Sequence, residues 1–329
     1  MSRLGLGAAL LAALAAAVVL GVRFGAVDLT TGEVLAALAG GGPEWQRQIV
    51  VDLRLPRLLL GALVGGGLAL AGATFQALLR NPLAEPYILG ISGGASVGAV
   101  LVLALGLAGA TSWALPLAAL AGAILAIALV FRVATASGRT LDVRVLLLAG
   151  VVVAAFFSAC VAFILSVSEA RTVQGAVLWI MGSLAGASWS GVGVTAAYTL
   201  PAAGLLLTLA RPLNLMAIGE ETAHYLGADV EKVKRTALAL AALLTAAGVA
   251  VAGVIGFVGL VVPHAIRLLV GSDHRALLPL SFLGGATFLV LSDIVAQVVL
   301  APTQIPVGVI TAFVGVPLFL VLLRRSLIP

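Results

Sequence analysis

Arg80-Asn81-Pro82-Leu83-Ala84-Glu85-Pro86-Tyr87 is a polar island between two Gly-rich apolar stretches, residues 58–79 and 88–107. An apolar helix of about 20 residues, rising about 1.5 Å per residue, crosses roughly 30 Å of hydrocarbon. Each flanking stretch therefore reads as a crossing, and the island as the connection between them. Composition agrees, since 62% hydrophobic and 9% charged residues, with a mean hydropathy of +1.23, lie outside the range of water-soluble domains. The net charge of +5 does not point to nucleic acid, because the basic residues fall between apolar runs without an interleaved aromatic patch.

Working outward, further apolar runs occupy residues 4–22, 113–131, 145–165, 191–210, 237–252, 254–270, 277–299 and 306–323. The first is longer than the apolar region of a signal peptide, about 7–15 residues, and reads as an uncleaved helix. Residues 237–270 are long for one crossing and short for two. Lys232, Lys234 and Arg235 precede this stretch while Arg267 and Arg275 close it, and the positive-inside rule places both groups in the cytoplasm. An even number of crossings follows, read as two short helices joined by a tight Gly turn. The result is an all-α polytopic membrane protein with about ten transmembrane helices and both termini cytoplasmic. It places 13 basic residues inside and 5 outside.

Small residues recur every four positions as Gly61, Gly65, Ala69 and Ala73, and as Gly90, Gly94 and Gly98, which suits close helix packing. No interval is long enough for a soluble domain, so residues 1–329 are expected to form a single transmembrane permease domain. Residues 211–236 read as two short helices on the cytoplasmic surface. Glu220 and Glu221 suit a first turn, Gly227 a left-handed stop, and Asp229 the cap of a second helix carrying Lys232, Lys234 and Arg235. Such a pair is suited to docking against another protein.

Arg54 and Arg57 flank Pro56 at the outer entrance of a crossing. They read either as a local ion pair with Asp52 or as an exposed positive spot for an acidic partner. Asp293 is an acid deep within a crossing, where charge costs about 2.5–3.5 kcal/mol, with Ser292 and Gln297 as candidate partners in an intramembrane polar network. A lone His264 and a lone Cys160 make no metal site. An ion-coupled secondary transporter using Asp293 and an intramembrane enzyme using His264 are the rival readings. The second lacks a nucleophile or metal cluster beside the histidine.

Several motifs in order resemble the permease subunits of the FecCD-type ATP-binding-cassette importers for ferric siderophores, haem and cobalamin. They are Leu53-Arg54-Leu55-Pro56-Arg57, Gln76 through Pro86 with Leu89-Gly90-Ile91-Ser92-Gly93-Gly94, and Met181-Gly182-Ser183-Leu184. Leu226-Gly227, Gly256-Phe257-Val258-Gly259 through His264 with Arg267 and Asp273-His274-Arg275, and Ile305-Pro306-Val307-Gly308 with Thr311 complete the set.

The resemblance implies a type II importer permease: ten helices paired with a second copy of the chain, in a bacterial or archaeal plasma membrane. It also implies two ATPase subunits and a soluble binding protein as partners. No cofactor or metal is expected on this chain, ATP being used by the partner subunit, and the chain itself is expected to be no enzyme. Carried over by motif, Glu220, Glu221, Ala223, Leu226 and Gly227 become the ATPase-coupling residues and Arg54 and Arg57 the binding-protein docking residues. Thr140, Asp142, Arg144, Phe157 and Thr311 become path or gate residues. Many members carry an Arg and a Glu where this chain has Gln297 and Gln304, so its outer docking contact is expected to differ. A ferric siderophore is the first cargo expected, with haem or cobalamin as alternatives.

Overall fold

The structure is a computed structural model describing residues 2–25, 27–109, 111–136 and 141–327. The chain runs through α1 (Arg3–Arg23), α2 (Thr31–Leu38), α3 (Glu44–Arg47) and, after a π-helical stretch Gln48–Arg54, α4 (Leu55–Leu78). Then come α5 (Ile91–Ala104), α6 (Ala114–Ala134), α7 (Val143–Ser166), α8 (Ala170–Ile180) and α9 (Trp189–Thr208). The last third holds α10 (Ala210–Ile218), α11 (Glu220–Tyr225), α12 (Val230–Ala252), α13 (Val258–Val270), α14 (His274–Val298) and α15 (Val307–Leu327).

Seven of these segments are long and apolar enough to cross a membrane, and α5, α13 and α15 add three shorter apolar helices. Among the described residues about ten crossings result, as the charge pattern expects, and an even number puts α1's start and α15's end on one face. The spanning window of α4 is 83% buried, against 22% for α1, α6 and α7. The second crossing is thus the axis of the fold, with α14, α12, α13 and α9 packed around it. Helices α5, α6 and α7 form a second group joined to the first through α12.

The small-residue stripes are where helices meet. A Cβ on Gly65 would overlap the Gly285 carbonyl across the α4–α14 contact, and one on Gly94 would overlap the Gly122 carbonyl across α5–α6. Backbones approach this closely only where neither residue carries a side chain.

Residues 237–270 do form two helices, but not two short ones. Helix α12 begins at Val230, capped by the Asp229 carboxylate accepting from the Lys232 N–H, and continues unbroken to Ala252. The basic segment expected to be a separate surface helix is therefore the protruding base of a transmembrane helix, because charge ends the hydrocarbon span without ending the helix. Only α13 is short. The break at 253–257 turns on Gly253 (φ 70°) and also on Phe257 (φ 68°), a conformation that costs a non-glycine residue energy.

Irregular backbone at membrane depth must find hydrogen bonds within the protein, and here the polar island supplies them. The Glu85 carboxylate accepts from the Phe257 N–H at 3.0 Å. The Tyr87 hydroxyl donates to the Ile255 carbonyl at 3.0 Å and accepts from the Ile255 N–H at 3.1 Å. The island is thus a brace for the helix break as well as a connection.

Candidate functional site

Three places gather the residues singled out by the sequence: the surface pair α10–α11, the outer end of the α4–α14 contact, and the flanks of α7 and α15.

Gly219 (φ 146°) breaks the chain between α10 and α11 in a conformation few residues other than glycine adopt. Glu220 and Glu221 occupy the first turn of α11. Gly227 (φ 85°) closes it, with its N–H on the His224 carbonyl and the Ala228 N–H on the Ala223 carbonyl. These paired bonds form the left-handed helix stop expected of Gly227. Ionic roots hold the pair down. The Lys234 ammonium donates to the Glu220 carboxylate, and the Arg80 guanidinium lies 3.7 Å from the same carboxylate while donating to the Met216 carbonyl at 3.1 Å. Arg80 itself sits at φ 48°, at the end of α4. On the far side, Asn214 donates to Asp273 at 2.8 Å and accepts from the His274 N–H at 2.9 Å, fastening α10 to the start of α14.

Above these roots, Ala223 and Leu213 are buried, whereas Ile218, Tyr225 (87% exposed) and Leu226 stand out. Ala223 is therefore a packing residue and Glu220 an anchor. Glu221 and Leu226 lie on the exposed side, and sequence reading missed Ile218 and Tyr225. Their signal was the presence of large apolar groups in a polar interval.

At the outer end, Arg57 donates to Asp293 from two nitrogens at 2.8 and 2.9 Å, although 236 residues separate them. Gln297 donates to Asp293 at 2.8 Å and Gln304 accepts from Arg57 at 2.8 Å. Ser292 instead donates to the Phe288 carbonyl. Gln297 and Gln304 are thus neutral partners of one bidentate pair joining α4, α14 and the connection before α15. Asp293 is only 1% exposed on its side chain and Arg57 11%. Arg54 is also buried, and its guanidinium is spent on the carbonyls of Val22, Arg23 and Val27 rather than on Asp52. An exposed positive spot at Arg54 does not match this placement. Both arginines and both glutamines line an outer cavity of about 210 Å³.

Of the path residues, Asp142 caps α7 by accepting from the Arg144 N–H at 2.7 Å. Phe157 is buried in α7 and Thr311 in α15, where its hydroxyl donates to the Gly308 carbonyl. Thr140 lies outside the described residues. The exposed groups on α7 and α15 include Leu148, Val151, Val152, Phe156 and Phe163, and Phe313, Val314 and Leu320. His264 is buried with neither ring nitrogen hydrogen-bonded among the described residues, its ring 6.0 Å from that of Phe319.

Comparison with known proteins follows this geometry. Residues 13–325 match the FecCD transport family. The cobalamin import system permease protein of Halobacterium salinarum is 46% identical over 289 residues, covering 88% of this chain and 77% of that one. The hemin transport system permease protein of Yersinia pestis is 44% identical over 287 residues, 84% of each chain. A solved structure described as an inward-facing metal-chelate type transporter of the ATP-binding-cassette class superposes with a TM-score of 0.86 at 32% identity, covering 96% of this chain and 98% of that one.

Proposed function

The chain belongs to the FecCD transport family, as a multi-pass membrane permease of a bacterial or archaeal ATP-binding-cassette importer, and from that premise we propose that it passes cobalamin. The exposed tip of the surface pair carries the mechanistic part of this reading: Ile218, Tyr225 and Leu226 outward, with Glu220 and Asn214 rooted in α12 and α14. An apolar knob on a rigid base presents anchor residues to a partner, and its roots pass a push to the helix ends. The partner is an ATPase subunit, one for each of two copies of this chain. Coupling falls to Glu221, Tyr225 and Leu226 by contact, and to Glu220, Ala223 and Gly227 by shaping the base.

A soluble binding protein docks at the outer cavity. Arg57 takes part by exchanging Asp293 for an acidic residue of that partner, while Arg54 holds the floor. The path runs between the two copies along α7 and α15, with Phe157 and Thr311 behind its wall and Asp142 and Arg144 at its cytoplasmic end. Nucleotide-driven motion of the surface pair then opens the path alternately to each side.

Cobalamin stands first because of the 46% identity to a cobalamin permease, and the similarity to a hemin permease makes haem the second reading. A ferric siderophore, the first expectation from sequence, moves behind both. Uptake of labelled cobalamin, haemin and ferric siderophore is measured in cells lacking this gene, with and without the restored chain. Loss confined to cobalamin supports the proposal. Loss confined to haemin selects the second reading, and loss confined to the siderophore overturns both.

A further inference from the structure

A groove of about 700 Å³ runs between the first turns of α1 and α14, within the roughly 300–1,000 Å³ of small-ligand sites. Its walls are apolar, with Leu4, Gly7 and Leu11 on one side and Pro279 and Leu280 on the other. Arg3, Asp273 and Arg275 stand at its mouth. Arg3 donates to Asp273 at 2.7 Å, and the other oxygen of that carboxylate accepts from Asn214. Arg275 is exposed and its guanidinium pairs with no carboxylate among the described residues. Two cations against one committed anion leave the mouth net positive.

One wall of this groove is α1, whose span is only 22% buried within the chain. Its positive mouth is on the face that also carries the surface pair, since Asp273 is held by Asn214 of α10. An apolar trough under a positive mouth at the membrane boundary fits an amphiphile with an anionic head and an acyl tail. The groove beside α15 makes the contrast: about 560 Å³, walled by Ile180, Met181, Val309, Phe313 and Pro317, it has no charged residue in its lining and gives no such signal.

We infer that the α1–α14 groove binds one anionic glycerophospholipid. Its phosphate oxygens meet Arg275 first and Arg3 second, and one acyl chain lies along Leu4, Leu11 and Leu280. A guanidinium fork matches phosphate geometry, and basic pockets between transmembrane helices on the cytoplasmic side are where anionic head groups collect. The site lies apart from the proposed cargo path and meets the coupling mount at Asp273, which Asn214 holds.

The test reconstitutes the full chain in bilayer discs of phosphatidylcholine containing a minor fraction of phosphatidylglycerol, extracts it gently, and counts retained lipids by native mass spectrometry. One phosphatidylglycerol per chain is expected. Arg275→Gln should weaken its retention about fivefold, the factor matching the roughly 1 kcal/mol that one cation contributes near an anionic surface. Ala8→Phe, which fills the groove from α1 and leaves both arginines in place, should abolish it, and Arg23→Gln at the opposite face should leave it unchanged. Equal retention of the two lipids, or retention unchanged in both Arg275→Gln and Ala8→Phe, overturns the inference. If one variant fails to fold, the other decides.

Discussion

The outer and cytoplasmic faces use charge in opposite ways. Outside, Arg54 and Arg57 are turned inward, one onto three carbonyls and the other onto Asp293. Inside, charged and polar groups at Glu220, Lys234, Arg80 and Asp273 hold a base from which Tyr225 and Leu226 project uncovered. The outer cluster is a structural lock closed on itself, whereas the inner one is a mount that leaves apolar groups uncovered. A residue's charge does not reveal its duty; what the charge is already bonded to does.

Breaking the outer lock should give the largest effect. Asp293→Ala leaves Arg57 buried without its partner, a loss of about 3–5 kcal/mol, read as a lowered unfolding midpoint in detergent. Adding Arg57→Gln should recover most of it. If the double variant is as unstable as the single one, the pair is not the lock described here.

The inner contact should respond the other way. Tyr225→Ala with Leu226→Ala removes exposed groups, so stability should move by no more than about 0.5 kcal/mol. ATPase affinity in a pull-down titration should fall about 30-fold, the equivalent of ~2 kcal/mol at a contact anchor. Unchanged affinity would leave the knob without its assigned role.

Tyr87→Phe sharpens the comparison at the brace between the faces. It removes both hydrogen bonds to Ile255 and should cost about 1–2 kcal/mol, with faster amide exchange expected in 253–257. Protection equal to that of the parent would argue against bracing.

The smallest effect concerns pH. Hydrogen bonds from Asn214 and then from the Arg275 N–H hold the Asp273 carboxyl below the ordinary carboxylate range. A lowered folded pKa contributes stability that is whole above the unfolded value and is lost as pH falls through the folded one. Asn214→Ala removes the larger cause, so the acid-side loss of stability should be smaller and should be complete at a higher pH, its onset being set by the unfolded value. An unchanged acid limb would mean that Asp273 is held by other groups.

Much of this architecture was legible because a bilayer imposes a length on every apolar run. The connection at 80–87, the small-residue stripes at Gly65 and Gly94, and the Gly227 stop each follow from local chemistry. Other features had no local signal. The Arg57–Asp293 pair joins residues 236 apart, the burial of Arg54 depends on the end of α1, and the bracing of Phe257 by Glu85 crosses the fold. Helix α8 is short and amphipathic, so a search for long apolar runs passes over it. The division between α11 and α12 was misplaced because Lys232, Lys234 and Arg235 look like a surface helix, although they extend a transmembrane one.

The central claim is that nucleotide hydrolysis in a partner drives this permease through the α10–α11 mount. The most direct test is accumulation of labelled cobalamin in proteoliposomes holding the chain with its ATPase, given the loaded binding protein. The account predicts accumulation that requires ATP, persists when proton and sodium gradients are collapsed, and is lost in the Tyr225→Ala, Leu226→Ala variant. Accumulation without ATP that vanishes with either gradient would contradict it.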